Sequence, residues 1–351
     1  MISQLKVKNF TIFRDANFDF ADGVNVIIGS NGAGKSHLLK LAYTAAKWSQ
    51  EMALKEKGGT RPDKATLQKE LGGKLVRVFR PESVGRLSRR GVGVRKTEVE
   101  ASFKNQSKAG FRISFSTKST TDVILEKVPD EFFGDEAVFF PTKEMLSMFP
   151  GFTGLYRDRE MSIDETYFDL CLALEKPLLK GRRFDEVKTL LAPVEQILQG
   201  DIRNENGRFY LVQEGAGKFE IPLVAEGFRK LGAVAYLLAN GTLASQSILF
   251  WDEPETNLNP AYMAKVAELL VAIARNGTQV FAATHSLFIM RELSMLLGKT
   301  ENKEVSRCFI ALEKTNHGAV AKSGASAEEV EPITALDSEI EQSQRYMELH
   351  R

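Results

Sequence analysis

The chain has 351 residues, 43% hydrophobic and 26% charged, with 47 Lys and Arg against 46 Asp and Glu. A net charge of +1 excludes a global field that would draw it to nucleic acid or anionic lipid, so any such affinity must be local. No apolar run approaches the ~20 residues that span a bilayer, and the N-terminus lacks the layout of a signal peptide. Cys171 and Cys308 stand apart from each other and from any metal-type cluster, so a cytoplasmic protein with reduced thiols is expected.

Hydrophobic spacing predicts strands over 2–8 and 24–28, the second running into a glycine-rich stretch. A helix over 37–47 follows, carried by Leu38, Leu39, Leu41 and Ala42. Residues 48–96 are polar and irregular, punctuated by Gly58, Gly59, Gly72 and Gly73. From 74 to 96, Lys74, Arg77, Arg80, Arg86, Arg89, Arg90, Arg95 and Lys96 face a single acid, Glu82. Alternation predicts three antiparallel strands over 97–103, 111–116 and 122–127, so that 48–127 reads as a basic and then β insertion. Next come a strand at 137–140, helices over 162–176 and 184–198, and a hairpin over 201–220 turning at Asn206-Gly207. A helix over 227–239, a strand at 247–251, a helix over 261–274, a strand at 279–283, a helix over 287–297 and a last strand at 306–312 complete the series. Strands and helices that alternate after 247 argue for a parallel sheet. The tail is polar, with a helix expected over 337–349, and neither an internal repeat nor a long heptad run is present.

Three elements carry chemistry. Gly29-Ser30-Asn31-Gly32-Ala33-Gly34-Lys35-Ser36 matches GxxxxGK[ST] in full, after an apolar strand and before a helix. Backbone N–H groups of such a loop form an anion nest, and the helix N-terminus adds positive potential. Lys35 can reach the β- and γ-phosphates, the Ser36 hydroxyl can ligate Mg²⁺, and His37 completes the nucleotide-binding set. Next, the apolar run 247–251 delivers Asp252 and Glu253 to a strand's C-terminal end, where sheet ligands bind. Asp252 would hold Mg²⁺, and Glu253 would polarise the attacking water. Finally, Phe281-Ala-Ala-Thr-His285-Ser286 ends another strand, from which His285 could hydrogen-bond the γ-phosphate or the water. Thr284 and Ser286 are alternatively helix caps. Glu253 and His285 are therefore the candidate catalytic residues.

Together these elements resemble the ABC-type P-loop ATPase heads of the RecF/SMC/OLD-like group, which includes AAA-like ATP-binding proteins of phage-defence operons. The run Asp252-Glu-Pro-Glu-Thr-Asn-Leu-Asn-Pro260 resembles that group's DEPE-x-x-L-x-P stretch, and Thr-His285-Ser resembles its switch histidine. The resemblance implies an α/β fold, an ABC-type P-loop NTPase head with a parallel sheet core, an antiparallel β subdomain and a helical lobe. It makes 1–351 a single composite head, with the lobe at 141–240 and a C-terminal tail at 313–351. Two such heads sandwich ATP, which implies a homo-oligomer, an ATP-sandwich dimer or higher. The counterpart of the signature loop is Val224-Ala-Glu-Gly-Phe-Arg-Lys230, where Ala225 stands in place of serine and the Gly227 backbone remains to meet γ-phosphate.

The turn Phe140-Pro-Thr-Lys-Glu-Met145 lacks the group's glutamine, so Lys143 or Glu144 could sense metal or γ-phosphate, or the turn is plain surface. Phe10-Thr-Ile-Phe-Arg14 resembles a segment near the nucleotide, which makes Arg14 a candidate phosphate contact and Phe10 and Phe13 core residues. The function implied is an ATP- and Mg²⁺-dependent switch that hydrolyses ATP and controls a separate effector, a nuclease or toxin, in anti-phage defence. The alternative is a RecF- or SMC-like DNA-repair or chromosome-maintenance ATPase, and a non-catalytic scaffold glued by ATP is a second class. The stretch 74–96 could grip a nucleic-acid backbone, or be a solvated face or partner surface. No membrane association is expected.

Overall fold

The computed structural model describes residues 1–159, 161–243, 246–330, 341–342 and 344–348. Fourteen strands and eight α-helices lie among the described residues of 1–330. An eleven-stranded sheet runs through the chain. Its parallel part comprises β3 (Val24–Gly29), β7 (Glu136–Phe140), β11 (Ser247–Asp252), β12 (Gln279–Thr284) and β13 (Arg307–Thr315), in the order β13-β3-β12-β11-β7. Each pairs parallel with its neighbour. Nearly every residue of β3, β11 and β12 is buried, as continuous apolar runs in a two-sided parallel sheet require.

The sheet continues through β14 (Gly318–Gly324), β2 (Phe13–Asp19), β1 (Ile2–Phe10), β4 (Lys96–Phe103), β5 (Phe111–Ser116) and β6 (Ile124–Lys127), antiparallel at every pairing but β14 with β2. The alternation read at 97–127 is thus real, and it adds three strands to the edge of the main sheet by pairing β4 with β1. One hydrophobic cluster lies on the side of α1 (Lys35–Lys57) and the antiparallel strands, and a second on the side of the helical lobe. The lobe contains α3 (Phe152–Asp158), α4 (Glu165–Leu174), α5 (Arg182–Leu198) and α6 (Glu226–Ala239). Two further helices, α7 (Pro260–Arg275) and α8 (Leu287–Gly298), link the last parallel strands.

Several expectations need correction. The stretch 48–96 is not irregular: α1 continues to Lys57, and α2 spans Lys64–Phe79. In α2 the residues Leu67, Leu71, Leu75 and Val78 form one buried stripe. The Asp63 side chain caps its start by accepting from Thr66 N at 2.8 Å. Gly72 is not punctuation but a contact, since a Cβ there would lie 2.2 Å from the Thr121 carbonyl oxygen. The hairpin over 201–220 has a third strand and becomes a meander of β8 (Gly200–Glu205), β9 (Arg208–Gln213) and β10 (Gly217–Glu220). Asn206 and Gly207 both take positive φ, 54° and 78°, as a type I′ turn demands. The strand ending at Leu312 is not the last, because β13 runs to Thr315 and β14 folds back on it from 318 to 324. The helix expected over 337–349 lies in part outside the described residues; 341–342 and 344–348 are helical. Both cysteines are free, and burial pushes the Cys171 thiol up to about 12. No described helix is long and apolar enough to cross a membrane.

The basic stretch is also less open than its composition suggests. Lys74 is fully buried, within 2.8 Å of Asp169 and 2.7 Å of Glu51. Arg77 pairs with Glu165, Arg86 with Glu82, and Lys96 with Glu98 and Glu126. Arg80 donates to the Met161 carbonyl and Arg89 to that of His317. A surface able to replace phosphate counterions would have to use the charge these contacts leave.

Candidate nucleotide site

Neighbouring parallel strands bring the three motifs to one edge. β12 lies between β3 and β11, so the loop 29–36, Asp252 with Glu253, and His285 all sit at C-terminal strand ends. The loop closes into α1 through Gly34, whose φ of 101° is left-handed. A Cβ at Gly34 would lie 2.8 Å from Ile12 Cγ2 and 2.9 Å from Phe13 Cζ, whereas at Gly32, also at positive φ, it would meet open space. Both Gly→Ala changes carry the left-handed strain of roughly 1–2 kcal/mol, but only Gly34→Ala adds a clash. Gly34→Ala should therefore weaken ATP binding by about tenfold more than Gly32→Ala, which corresponds to ~1.4 kcal/mol. Equal affinities in an ATP titration of the two variants would remove the packing argument.

Lys35 Nζ donates to the Gly29 carbonyl at 2.7 Å and to that of Ser30 at 3.2 Å. Burial pulls its ammonium down, opposed by the charges of Glu253, Asp252 and Glu255. Asp252 is 7% exposed, and burial pushes its carboxyl up, offset in part by the Ser36 hydroxyl beside it. Asp252 Oδ1 is buried with no hydrogen-bond partner. A hydroxyl and an orphaned carboxylate oxygen beside a phosphate nest are hard donors that suit Mg²⁺, a cation that keeps water and phosphate ligands. Ser36 and Asp252 would hold it. His37 is exposed at the first turn of α1, its ring 5.9 Å from that of Phe79.

Glu253 takes a left-handed φ of 53°, a strained conformation for a non-glycine residue. Its N–H donates to the Ala283 carbonyl at 2.8 Å, and Thr256 Oγ1 donates to its Oε2 at 3.2 Å. Its Oε1 lies 3.2 Å from His285 Nδ1. His285 is thus positioned by Glu253 while Ser286 caps α8 by accepting from Ile289 N, so the cap and the site coexist.

Two residues here were missed in the sequence. Glu255 is 4% exposed and accepts from Thr284 Oγ1 at 2.7 Å and from His285 N at 3.2 Å, binding the two strand ends together. Its only signal was a second glutamate just past a proline in the run 252–260. Lys230, 2% exposed, has a buried Nζ with no hydrogen-bond partner, in the field of Glu226, Glu253, Glu255 and Asp252. A lysine opening an apolar helix reads as surface.

Phe10 and Phe13 are core. Arg14 alternates to the exposed face of β2, and the adjacent Ile12 and Phe13 pack against Gly34 of the loop. Gly227 packs against the chain's own loop, since a Cβ there would lie 2.5 Å from Leu258 Cδ2 and 2.6 Å from the Asn257 carbonyl. Ala225 caps α6 without a side-chain bond and is exposed. Glu144 accepts from Arg229 at 2.8 Å and from Ser147 N at 3.1 Å, tying the turn after β7 to α6. Lys143 is exposed.

Residues 4–132, which contain the phosphate loop, match the family described as "AAA domain". Residues 157–291, which contain Asp252, Glu253 and His285, match "AAA domain, putative AbiEii toxin, Type IV TA system". A DNA replication and repair protein RecF from Bacillus cytotoxicus is 44% identical over 45 residues, 13% of this chain and 12% of that protein. A DNA double-strand break repair Rad50 ATPase from Pyrococcus abyssi is 37% identical over 71 residues, 17% of this chain and 8% of that protein. The crystal structure of the SmcHead bound to the C-winged helix domain of ScpA superposes with a TM-score of 0.56 at 13% identity, covering 93% of this chain and 98% of that one. The chain has the fold of an ABC-type P-loop ATPase head and is similar to those of the RecF/SMC group. The chain spans only about a tenth of the two curated relatives, so the likeness concerns the head and not their whole activities. In this head the phosphate loop and the carboxylates lie in separately matched halves, brought together only by the parallel sheet.

Proposed function

We propose that this head binds Mg-ATP and hydrolyses it as a switch, pairing with a second copy around the nucleotide and reopening after hydrolysis. One observation carries the reading: Glu253, held beside His285, follows Asp252 and its orphaned oxygen at the mouth of the Lys35 loop. Lys35 and the loop N–H groups bind phosphate, Ser36 and Asp252 hold the Mg²⁺, which neutralises phosphate charge, and Glu253 with His285 orients the attacking water. The α6 start, with exposed Ala225, supplies backbone and helix dipole but no hydroxyl to a partner's γ-phosphate.

What the switch drives is favoured on different grounds by two readings. The RecF and Rad50 similarities support action on DNA. The toxin-type family description of 157–291 supports control of a separate effector, a nuclease or toxin, in a defence setting. The native mass of the full chain, expressed with its genomic neighbours and measured with and without Mg-ATP and duplex DNA, separates them. Wild type should move from monomer to dimer with Mg-ATP, and Lys35→Ala should stay monomeric with no turnover. A DNA-dependent shift favours repair, and a co-purifying protein favours the effector. A Lys35→Ala chain that hydrolyses and pairs as wild type does would overturn the nucleotide reading.

A further inference from the structure

Lys230 stands beside the site carboxylates and the reading above gives it no role. A buried ammonium is costly unless hydrogen-bonded or paired, yet its Nζ has no hydrogen-bond partner and only 2% of the residue is exposed. It lies one turn after Gly227 on α6, and residues three apart share a helix face. That face is turned toward the loop after β11, because Gly227 abuts Asn257 and Leu258. Glu253 and Glu255 stand at the start of the same loop, and the Oε2 of Glu255 is itself buried without a hydrogen-bond partner. Its other oxygen already ties Thr284 and His285 to this loop. An unpartnered buried cation and an unpartnered buried carboxylate oxygen thus face the same turn from two elements.

We infer that Lys230 is a positioning residue: its ammonium balances the buried charge of Glu255 and so holds the loop 253–258 in the form that sets Glu253 against His285. The start of α6 is thereby coupled within one chain to the carboxylate that orients water, and a shift of α6 would loosen Glu253. This rests on the reading of Glu253 as the residue that orients the attacking water.

The test uses the full-length chain. Lys230→Met should lower kcat by about ten- to a hundredfold, with ATP affinity and KM within threefold of wild type. Lys230→Arg should recover most of the loss. Glu255→Gln should lower kcat similarly, and the double variant Lys230→Met/Glu255→Gln should be no slower than the worse single one, because the two act as a unit. An unchanged kcat in Lys230→Met, failure of Lys230→Arg to recover it, or simple additivity in the double variant would overturn the inference. If Lys230→Met does not fold, Lys230→Arg and Glu255→Gln decide: a wild-type kcat in Glu255→Gln overturns it. A wild-type chain with no turnover would instead overturn the hydrolysis reading, so the two failures are distinguishable.

Discussion

Glu253→Gln is expected to stop turnover while leaving ATP bound. Glutamine matches the shape of glutamate and can keep the left-handed backbone that the Ala283 carbonyl holds in place. What it loses is the anionic acceptor that draws a proton from the attacking water, a loss typically worth 10²- to 10⁴-fold in kcat. The loop 29–36, with Lys35 on the carbonyls of Gly29 and Ser30, and the Ser36–Asp252 pair are untouched. The dissociation constant for Mg-ATP should therefore stay within a few-fold, and the ATP-bound dimer should persist on a sizing column instead of decaying. Single-turnover hydrolysis beside equilibrium ATP binding checks both halves. A Glu253→Gln chain with more than half the wild-type kcat would remove Glu253 from its role and leave His285 or a partner's residue to orient the water.

The sheet core and the three motifs were legible because each depends on short-range pattern. A buried parallel strand must be continuously apolar, so Val24 to Ile28 and Ile248 to Trp251 announce themselves. A phosphate loop must be glycine-rich in a fixed order. What was not legible depends on contacts distant in sequence. The stripe Leu67, Leu71, Leu75 and Val78 was masked by lysines and glycines between its members, and Gly72 suits a helix only because residue 121 presses against it. β14 follows what looks like a tail, and its apolar residues are few because it pairs at the boundary between parallel and antiparallel strands. Glu255 and Lys230 resemble surface residues until the turn after β11 and the start of α6 are seen to bury them. The same holds for Lys74, one of a run of cations in the sequence but buried among Glu51, Glu165 and Asp169 in the structure.

That cluster carries the largest expected effect on stability. Lys74 on α2 lies 2.8 Å from Asp169 and 3.4 Å from Glu165 on α4, and 2.7 Å from Glu51 on α1. Tyr43 on α1 donates to Asp169 at 2.6 Å, and Lys40, one turn after Ser36, pairs with Asp164 at 2.8 Å. Burial pushes the Asp169 carboxyl up, but Lys74, Lys47 and the hydrogen bonds from Lys74 and Tyr43 hold it below its usual range. The helix that opens at the phosphate loop is therefore bolted to the helical lobe by charge. Lys74→Met would leave Asp169 buried without its cation and Glu165 with Arg77 alone, a change that costs on the order of 3–5 kcal/mol. By contrast, Arg86→Ala breaks an exposed pair with Glu82 and should cost no more than about 1 kcal/mol. Adding Asp169→Asn to Lys74→Met should recover part of the loss, because it removes the stranded charge. Urea denaturation of the four chains measures each step. If Lys74→Met unfolds at the same midpoint as Arg86→Ala, the cluster does not hold the lobe, and hydrophobic packing between α2 and α4 must do so alone.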